Sequence, residues 1–337
     1  MNRLLSLKRA KSIIERFEGA RVLVIGDLMM DHFLWGKVRR ISPEAPVPVV
    51  EVSREDLLLG GSANVANNVR SLGGGALVAG VVGRDDDGRK FVKLLRQMGI
   101  PSDGVITDPR RPTTTKTRII AHSQQVVRFD REKKDLLDGG VTLKLGRYIK
   151  KNAGAADVVV ISDYSKGLIT EGLVAETSRV CRSLGKPLVV DPKVEHFDYY
   201  RGVTLVTPNN LEASLASGVE ITDDESLHKA GEALLARLGC EGLLITRGEH
   251  GMSLFEKGGA THIPTVAKEV FDVSGAGDTV VGVMALALAS GADFKEAAVL
   301  ANFAAGVVVG KIGTATLTQA ELLAAVSPGL RHRPKRA

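Results

Sequence analysis

The sequence predicts an α/β fold: a mostly parallel central sheet with helices on both faces, plus a small β lid. Three observations lead there. Short apolar runs ending in a polar residue recur down the chain, helical stretches separate most of them, and two stretches break the alternation. Alternating strands and helices favour a parallel sheet covered on both sides. In such sheets ligands bind beyond the carboxyl ends of the strands.

Taken in order, Leu4, Leu5, Ile13, Ile14 and Phe17 fall at roughly helical spacing and read as a surface helix within residues 1–20. Residues 21–27 then form a buried strand that stops at Gly26-Asp27. Residues 31–57 carry Pro43, Pro46 and Pro48 around Val47, Val49, Val50 and Val52. Proline lacks a ladder donor, so these strands belong at an edge or in a separate small sheet. Residues 112–130, with Thr113–Thr117 and Gln124–Val127, alternate like an exposed hairpin. Both stretches read as a lid inserted on a main domain spanning 21–326. Apolar runs then recur at 157–163, 187–191, 204–209 and 242–247, with helical stretches over 142–152, 170–183 and 223–238. Their polar ends predict one crevice lined by Asp27, Asp163, Asp191, Asn209 and Arg247. Residues 327–337, containing Arg331, Arg333, Lys335 and Arg336, read as a solvated basic tail.

Composition narrows the function classes. The 337 residues are 44% hydrophobic and 25% charged, which is ordinary globular usage and excludes disorder over most of the chain. The net charge of +6 admits an anionic partner. Aromatics at 4% argue against a base-stacking platform, and no recognition motif supports nucleic-acid binding. Cys181 and Cys240 have no ligand spacing and imply a reduced, cytoplasmic protein. Charges interrupt the N-terminal apolar residues, so no secretion signal is read, and the run 279–289 is too short to insert in a membrane. The seven histidines form no HxxxH or HExxH pair, so a catalytic zinc site is not expected.

Four motifs could carry chemistry. Asp272-Val-Ser-Gly275-Ala276-Gly277-Asp278 opens an apolar helix. Small residues at a helix start let backbone N–H groups reach an anion. A carboxylate there is a candidate general base beside a transferring phosphoryl group. The bland alternative is a glycine turn with Asp278 as a helix cap. Two better-known phosphate motifs fail: position 280 is Val, and Gly306 to Lys311 is one residue short of a Walker loop and followed by Ile312. Gly60-Gly61-Ser62-Ala-Asn64 suits a polyhydroxy ligand, or is an ordinary turn with Ser62 as N-cap. Asn209-Asn-Leu-Glu212 fits a water-mediated Mg²⁺ site near phosphates, or a capping box. Thr246-Arg247-Gly248…Gly251 alone is a hairpin-like turn.

Together, and in this order with Ala301-Asn302 following, these motifs resemble the ribokinase/PfkB family of sugar kinases over residues 20–325. Gly26-Asp27…Asp31, residues 40–50, Gln124-Gln125…Arg128-x-Asp130, residues 162–167 and residues 308–314 resemble its heptose 7-phosphate kinase branch. The resemblance implies an ATP-dependent kinase that phosphorylates D-glycero-β-D-manno-heptose 7-phosphate at the C1 hydroxyl, for ADP-heptose and lipopolysaccharide core synthesis. Another PfkB-type sugar kinase, or a non-catalytic sugar-phosphate binder on the same fold, stays open.

The roles it implies are as follows. Asp278 accepts the hydroxyl proton, and the amides of Gly275, Ala276 and Gly277 steady the transferring group. Asn209, Asn210, Leu211 and Glu212 lie near the ATP phosphates and Mg²⁺. Thr246, Arg247, Gly248 and Gly251 border the nucleotide, and Asn302 lies near adenine. Asp31, Gly60, Gly61 and Asn64 hold sugar hydroxyls. Asp272 and Gly313 belong to a monovalent-cation loop that would take K⁺. Lys116, Arg118, Arg128 and Lys193 are the candidates for the sugar's remote phosphate, from charge and location. A homodimer through the β lid is also expected, burying Val47, Val49 and Ile119. Branch members are often joined to a nucleotidyltransferase half. The given chain has no room for one, so a separate nucleotidyltransferase is expected.

Overall fold

Two sheets divide the chain, and the junction between them sets the site. The computed structural model describes residues 4–122, 124–267 and 269–330; the tail expected at 331–337, with Arg331, Arg333, Lys335 and Arg336, lies outside the described residues. Helix α1 (Leu7–Glu15) leads into β1 (Arg21–Gly26), β2 (Leu28–Ile41), β3 (Pro48–Gly61), α2 (Ser62–Ser71), β4 (Gly75–Gly83), α3 (Asp86–Gln97) and β5 (Val105–Asp108). Then come β6 (Thr114–Ala121), β7 (Gln124–Arg131), α4 (Gly139–Ala153), β8 (Val158–Ser162), α5 (Glu171–Ser183), β9 (Leu188–Asp191), β10 (Leu205–Val206), α6 (Asn210–Ser217) and α7 (Asp224–Leu238). The chain continues through β11 (Gly242–Thr246), β12 (Met252–Glu256), β13 (Gly259–Ile263), α8 (Ala276–Ala289), α9 (Phe294–Val308) and α10 (Gln319–Gly329).

The nine-stranded sheet runs β13-β12-β11-β10-β9-β8-β1-β4-β5. It is parallel except for the antiparallel β11–β12–β13 edge. Alternate residues of each central strand feed opposite cores, which is why the runs are apolar throughout. Val22 and Val24 of β1 join the core under α1, α2, α8, α9 and α10, while Leu23 and Ile25 join the core under α4, α5 and α7. Helix α8 is buried along residues 278–287 and is apolar all round, as a central helix must be.

The lid is the four-stranded sheet β3-β2-β6-β7. Its first two strands extend beyond 31–57, while β6 and β7 run from Thr114 to Arg131: β2 begins at Leu28 and β3 runs to Gly61, so Asp31 and the Gly60–Gly61 pair are themselves lid-strand residues. Pro48 opens the edge strand β3, where a missing donor costs least. The N-terminal helix is more than a surface element, since Ala10, Ile13, Ile14 and Phe17 are fully buried in the main core. Helix α10 crosses residue 326, where the tail was expected to begin, and buries Leu322 and Val326. Cys181 and Cys240 are unpaired and buried. Among the described residues no helix is long and apolar enough to cross a membrane.

Only Asp27 separates β1 from β2, so the main sheet passes into the lid with almost no slack. Gly26 makes this possible. A Cβ there would lie 2.0 Å from the Ser162 carbonyl oxygen of β8 and 2.1 Å from Ser62 Oγ of α2. Gly26→Ala should therefore destabilise the protein by about 3 kcal/mol or more, because backbone rather than a flexible side chain must move. A urea titration followed by circular dichroism checks this.

Candidate active site

The site begins with a helix that starts bare. Gly275 is the N-cap of α8 in the left-handed region (φ 77°), and Ala276, Gly277 and Asp278 form the first helical positions. A Cβ on Gly275 would come 2.7 Å from Asn64 Nδ2, so only glycine fits the turn. The helix start faces the cleft through Gly275 and Gly277, and its N–H groups and dipole favour negative charge there.

Asp278 is 5% exposed. Its Oδ1 accepts a 2.5 Å hydrogen bond from the Tyr164 hydroxyl, and its Oδ2 accepts one of 2.7 Å from Asn64 Nδ2. Burial pushes its carboxyl up to about 6; Tyr164 and Asn64 oppose this, Asp31 adds to it and Lys193 counters it. The group thus holds a proton weakly near neutrality, which suits a general base.

Each partner is itself fixed. Asn64 lies in the first turn of α2, whose N-cap is Gly61 (φ 56°) rather than Ser62. Ser62 Oγ instead donates to the Ser162 carbonyl at 2.9 Å, tying α2 to β8. Asn68 Nδ2 donates to the Asn64 carbonyl, and Asn68 Oδ1 accepts from Thr279 Oγ1 of α8. Tyr164 follows β8 on a loop pinned by two carboxylates. Asp27 Oδ2 accepts from the Tyr164 and Lys166 amides at 2.9 and 3.2 Å. Asp163 accepts from the Ser165 amide at 2.7 Å and the Tyr200 hydroxyl at 2.6 Å, and pairs with His196 Nδ1. Asp27 and Asp163 were expected to line the crevice; the structure places them beneath it as loop anchors, 4% and 0% exposed. Buried amides with no ladder partner need acceptors, and these carboxylates supply them. Burial, opposed by the Tyr164 amide, raises Asp27 to about 6.

The cleft, about 170 Å³, is also lined by Asp191, Lys193, Thr207, Asn209, Glu212 and Thr246. Larger hollows of about 760 and 700 Å³ lie beside α3 and between α9 and α10, but charge converges here. Lys193 Nζ sits 2.5 Å from Glu212 Oε1 and 5.7 Å from the Tyr164 ring centre. Burial disfavours its charge, but Glu212, Asp191 and Asp163 outweigh that and raise its pKa. Burial, with Asp278 close by, pushes Asp191 well above the usual carboxylate range.

Several expected site residues lie elsewhere or are otherwise engaged. Asn209 and Glu212 form a complete capping box on α6, so Glu212 spends one oxygen on the Asn209 amide and the other on Lys193. Leu211 is 67% exposed and does not line the cleft. Asn210 Oδ1 is buried without a hydrogen-bond partner; this spare oxygen and the all-oxygen donor set fit a hard divalent cation. Arg247 was expected in the crevice, but its guanidinium turns back to Asp224 and Ser253. Gly248 (φ 56°) and Gly251 (φ 80°) shape the β11–β12 turn and do not line the cleft. Asn302 is buried and donates to the Pro264 carbonyl at 2.8 Å, tying α9 to the segment after β13. Asp272 accepts from the Ser274 and Gly313 amides, both at 2.9 Å, joining the loop before α8 to the loop after α9. Beside it, the Thr314 hydroxyl oxygen is buried without a partner.

On the lid, Asp31 Oδ1 accepts from Arg118 Nη1 at 2.5 Å, and a Cβ on Gly60 would sit 2.4 Å from Asp31 Oδ2. Lys116 pairs with Asp130 at 2.9 Å. Arg128, half-exposed, lies opposite Arg118 in the β6–β7 ladder and also pairs with Asp130. Lys193 does not join this lid group. Tyr164 and Lys166 have no role among the sequence motifs; the polar run at residues 162–167, closing a buried strand, is the available signal. Lys166 Nζ reaches Glu132, just past the end of β7, at 2.8 Å.

A family model described as pfkB family carbohydrate kinase matches residues 20–321. The bifunctional protein HldE of Citrifermentans bemidjiense is 49% identical over 325 residues, covering 96% of this chain and 67% of that protein. HldE of Geobacter metallireducens is 48% identical over 326 residues, covering 96% and 66%. The chain therefore spans about two thirds of the length of these relatives. Among solved structures, Arabidopsis thaliana ribokinase complexed with ribose and ATP matches with a TM-score of 0.71 at 20% identity, covering 91% of this chain and 98% of that one. Escherichia coli phosphofructokinase-2 in complex with substrates and products matches at 0.77 and 20%, covering 93% and 99%. These likenesses show a ribokinase-like fold. The chain belongs to the pfkB family of carbohydrate kinases and is an ATP-dependent sugar kinase; kinases of this family use ATP and Mg²⁺.

The raised pKa of Asp278 makes a stability prediction. Below about pH 4 its carboxyl is protonated whether the chain is folded or not. As pH rises through about 6 the buried group ionises, and stability is lost. Asp278→Asn, which cannot ionise, should stabilise the ligand-free protein by about 2–3 kcal/mol at pH 8. The gain should fade below pH 4. Denaturant midpoints of both proteins at pH 4, 6 and 8 check the sign.

Proposed function

We propose that this chain phosphorylates the anomeric hydroxyl of a heptose 7-phosphate, D-glycero-β-D-manno-heptose 7-phosphate, to give the 1,7-bisphosphate. The observation that carries the reading is Asp278: a buried, weakly acidic carboxylate at the bare start of α8, inside a cleft lined by Lys193, Asn209 and Glu212. The likeness to the HldE relatives and the heptose-kinase motifs support the choice of sugar.

In this reading Asp278 takes the proton of the acceptor hydroxyl as its oxygen bonds to the γ-phosphorus. The bond from that phosphorus to the β,γ-bridging oxygen breaks, and ADP leaves. Phosphoryl transfer asks for positioning and electrostatic stabilisation rather than covalent help. The amides of Gly275, Ala276 and Gly277 supply the second. Lys193, grouped here with Glu212 rather than with the lid cations, neutralises the transferring group instead of the sugar's remote phosphate. When bound, Mg²⁺ supplies further charge neutralisation at the ATP phosphates; Asn209, Asn210 and Glu212 are the residues that would hold it through water. Thr246, with the turn of Arg247, Gly248 and Gly251, and Asn302 border the nucleotide. Asp272, Gly313 and the spare Thr314 oxygen fit a K⁺ loop that stiffens the start of α8.

The lid holds the sugar. Asp31, Gly60, Gly61 and Asn64 lie where hydroxyls would be gripped, and Lys116, Arg118 and Arg128 form the basic end of β6–β7 for the 7-phosphate. Closing the lid excludes water and limits ATP hydrolysis. All eight residues of β7 are exposed, and Val47, Val52, Val127 and Phe129 are each about half exposed. We assign that surface to a second copy of the chain. Residues 21–326 form the kinase unit, acting in the cytoplasm, and its product is suited to a nucleotidyltransferase that makes ADP-heptose.

Assaying ADP release against sugar 7- and 6-phosphates, with product NMR, tests the substrate: turnover confined to 6-phosphates or free sugars overturns it. Asp278→Asn should lower kcat by several orders of magnitude with ATP affinity retained. Arg118→Gln should raise KM for the sugar phosphate about tenfold or more, with KM for ATP little changed, because a phosphate contact of a charged donor is lost. Sedimentation at micromolar concentration should show a dimer.

A further inference from the structure

The loop carrying Tyr164 is costly to build. Ser165 sits at φ 56°, a left-handed conformation that non-glycine residues seldom adopt. Two buried carboxylates, Asp27 and Asp163, are spent on its amides. The loop's contact with the reacting carboxylate is the Tyr164 hydroxyl, 2.5 Å from Asp278 Oδ1. The phenol has the Lys193 ammonium over its ring.

From this geometry we infer that Tyr164 is a positioning residue, whose hydroxyl aims the Asp278 carboxylate at the acceptor and holds it in its proton-accepting form. The inference rests on reading Asp278 as the general base. A phenol suits the task. It donates without carrying a charge, so it orients the carboxylate yet leaves it basic, where an ammonium in the same place would quench it. Burial and the charges of Asp278 and Asp191 keep the phenol itself protonated well above its ordinary range, so the donor persists throughout the working pH range. With Asn64 on the other oxygen, both carboxylate oxygens are held and the side chain cannot swing. The other charged groups facing Asp278 are Asp31 from β2, Asp191 at the end of β9, Lys193 just after it, and Glu212 of α6. Asp31 and Asp191 oppose ionisation and Lys193 favours it; Tyr164 is the neutral donor beside them.

The test compares kcat–pH profiles of the full chain with saturating Mg-ATP and the sugar phosphate. Tyr164→Phe keeps the ring and removes the donor. It should move the acid limb up by about one to two pH units and lower kcat at pH 7 about tenfold or more. Placing 3-fluorotyrosine at position 164 keeps the hydroxyl and makes it a stronger donor, so the acid limb should move down. This second protein decides the matter if the phenylalanine variant fails to fold. Limbs that superimpose on the wild-type curve overturn the inference. Asp278→Asn separates the two levels. If it retains full turnover, the base assignment itself falls. If it is inactive while the limbs stay put, only the role of Tyr164 falls.

Discussion

One carboxylate organises the functional end of this molecule. Asp278 belongs to α8, its hydroxyl donor to the loop after β8, and its amide donor to α2. These three segments are far apart in sequence, and each has its own anchor. Burying an ionisable group at a helix start is tolerable only when donors are already in place. Much of the surrounding polar structure can be read as the means of keeping them there: Ser62 ties α2 to β8, Asn68 ties α2 to α8, and Asp27 and Asp163 hold the loop from beneath.

The same logic explains why the cleft is rich in acids yet able to receive a polyanion. Asp191, Glu212 and Asp278 face it, and Lys193 is the cation lining it among the described residues. Left alone, such a set repels phosphate. It becomes hospitable through the α8 amides and the Lys193 ammonium, with burial holding down the charge on Asp191 and Asp278. The pKa displacements of Asp191 and Asp278 come first from that burial and then from their mutual repulsion with neighbouring acids.

The lid extends this economy. Its strands grow directly out of β1 and into α2, so the lid is joined without slack to the helix that supplies Asn64 to Asp278. Lys166, on the same loop as Tyr164, reaches Glu132 where the chain leaves the lid strand β7. One short loop therefore touches both the reacting carboxylate and the cover over it. The three lid cations named for the phosphate are paired with acids of the lid itself: Lys116 and Arg128 with Asp130, Arg118 with Asp31. A phosphate that binds there exchanges one set of ion pairs for another.

What could be read without coordinates was whatever depends on local pattern. Apolar runs buried on both faces announced the parallel sheet, prolines announced the edge strand β3, and small residues before an apolar helix announced the bare start of α8. The Asn209–Glu212 pair left two readings open because the capping box and the cation site use the same residue types at the same spacing; the fold adopts the first and leaves an unpartnered oxygen on Asn210 for the second. Side-chain direction was decided only by tertiary structure. Asp27 and Asp163 close apolar runs just as Asp191 does, yet they point under the loop, because amides at 164–166 lack ladder partners. Lys193 joins Glu212 rather than the lid, because the end of β9 lies beside α6. Tyr164 reaches Asp278 across more than a hundred residues. Periodicity records which face of an element is buried; it does not record which distant polar group will lie opposite, since that depends on how whole elements pack.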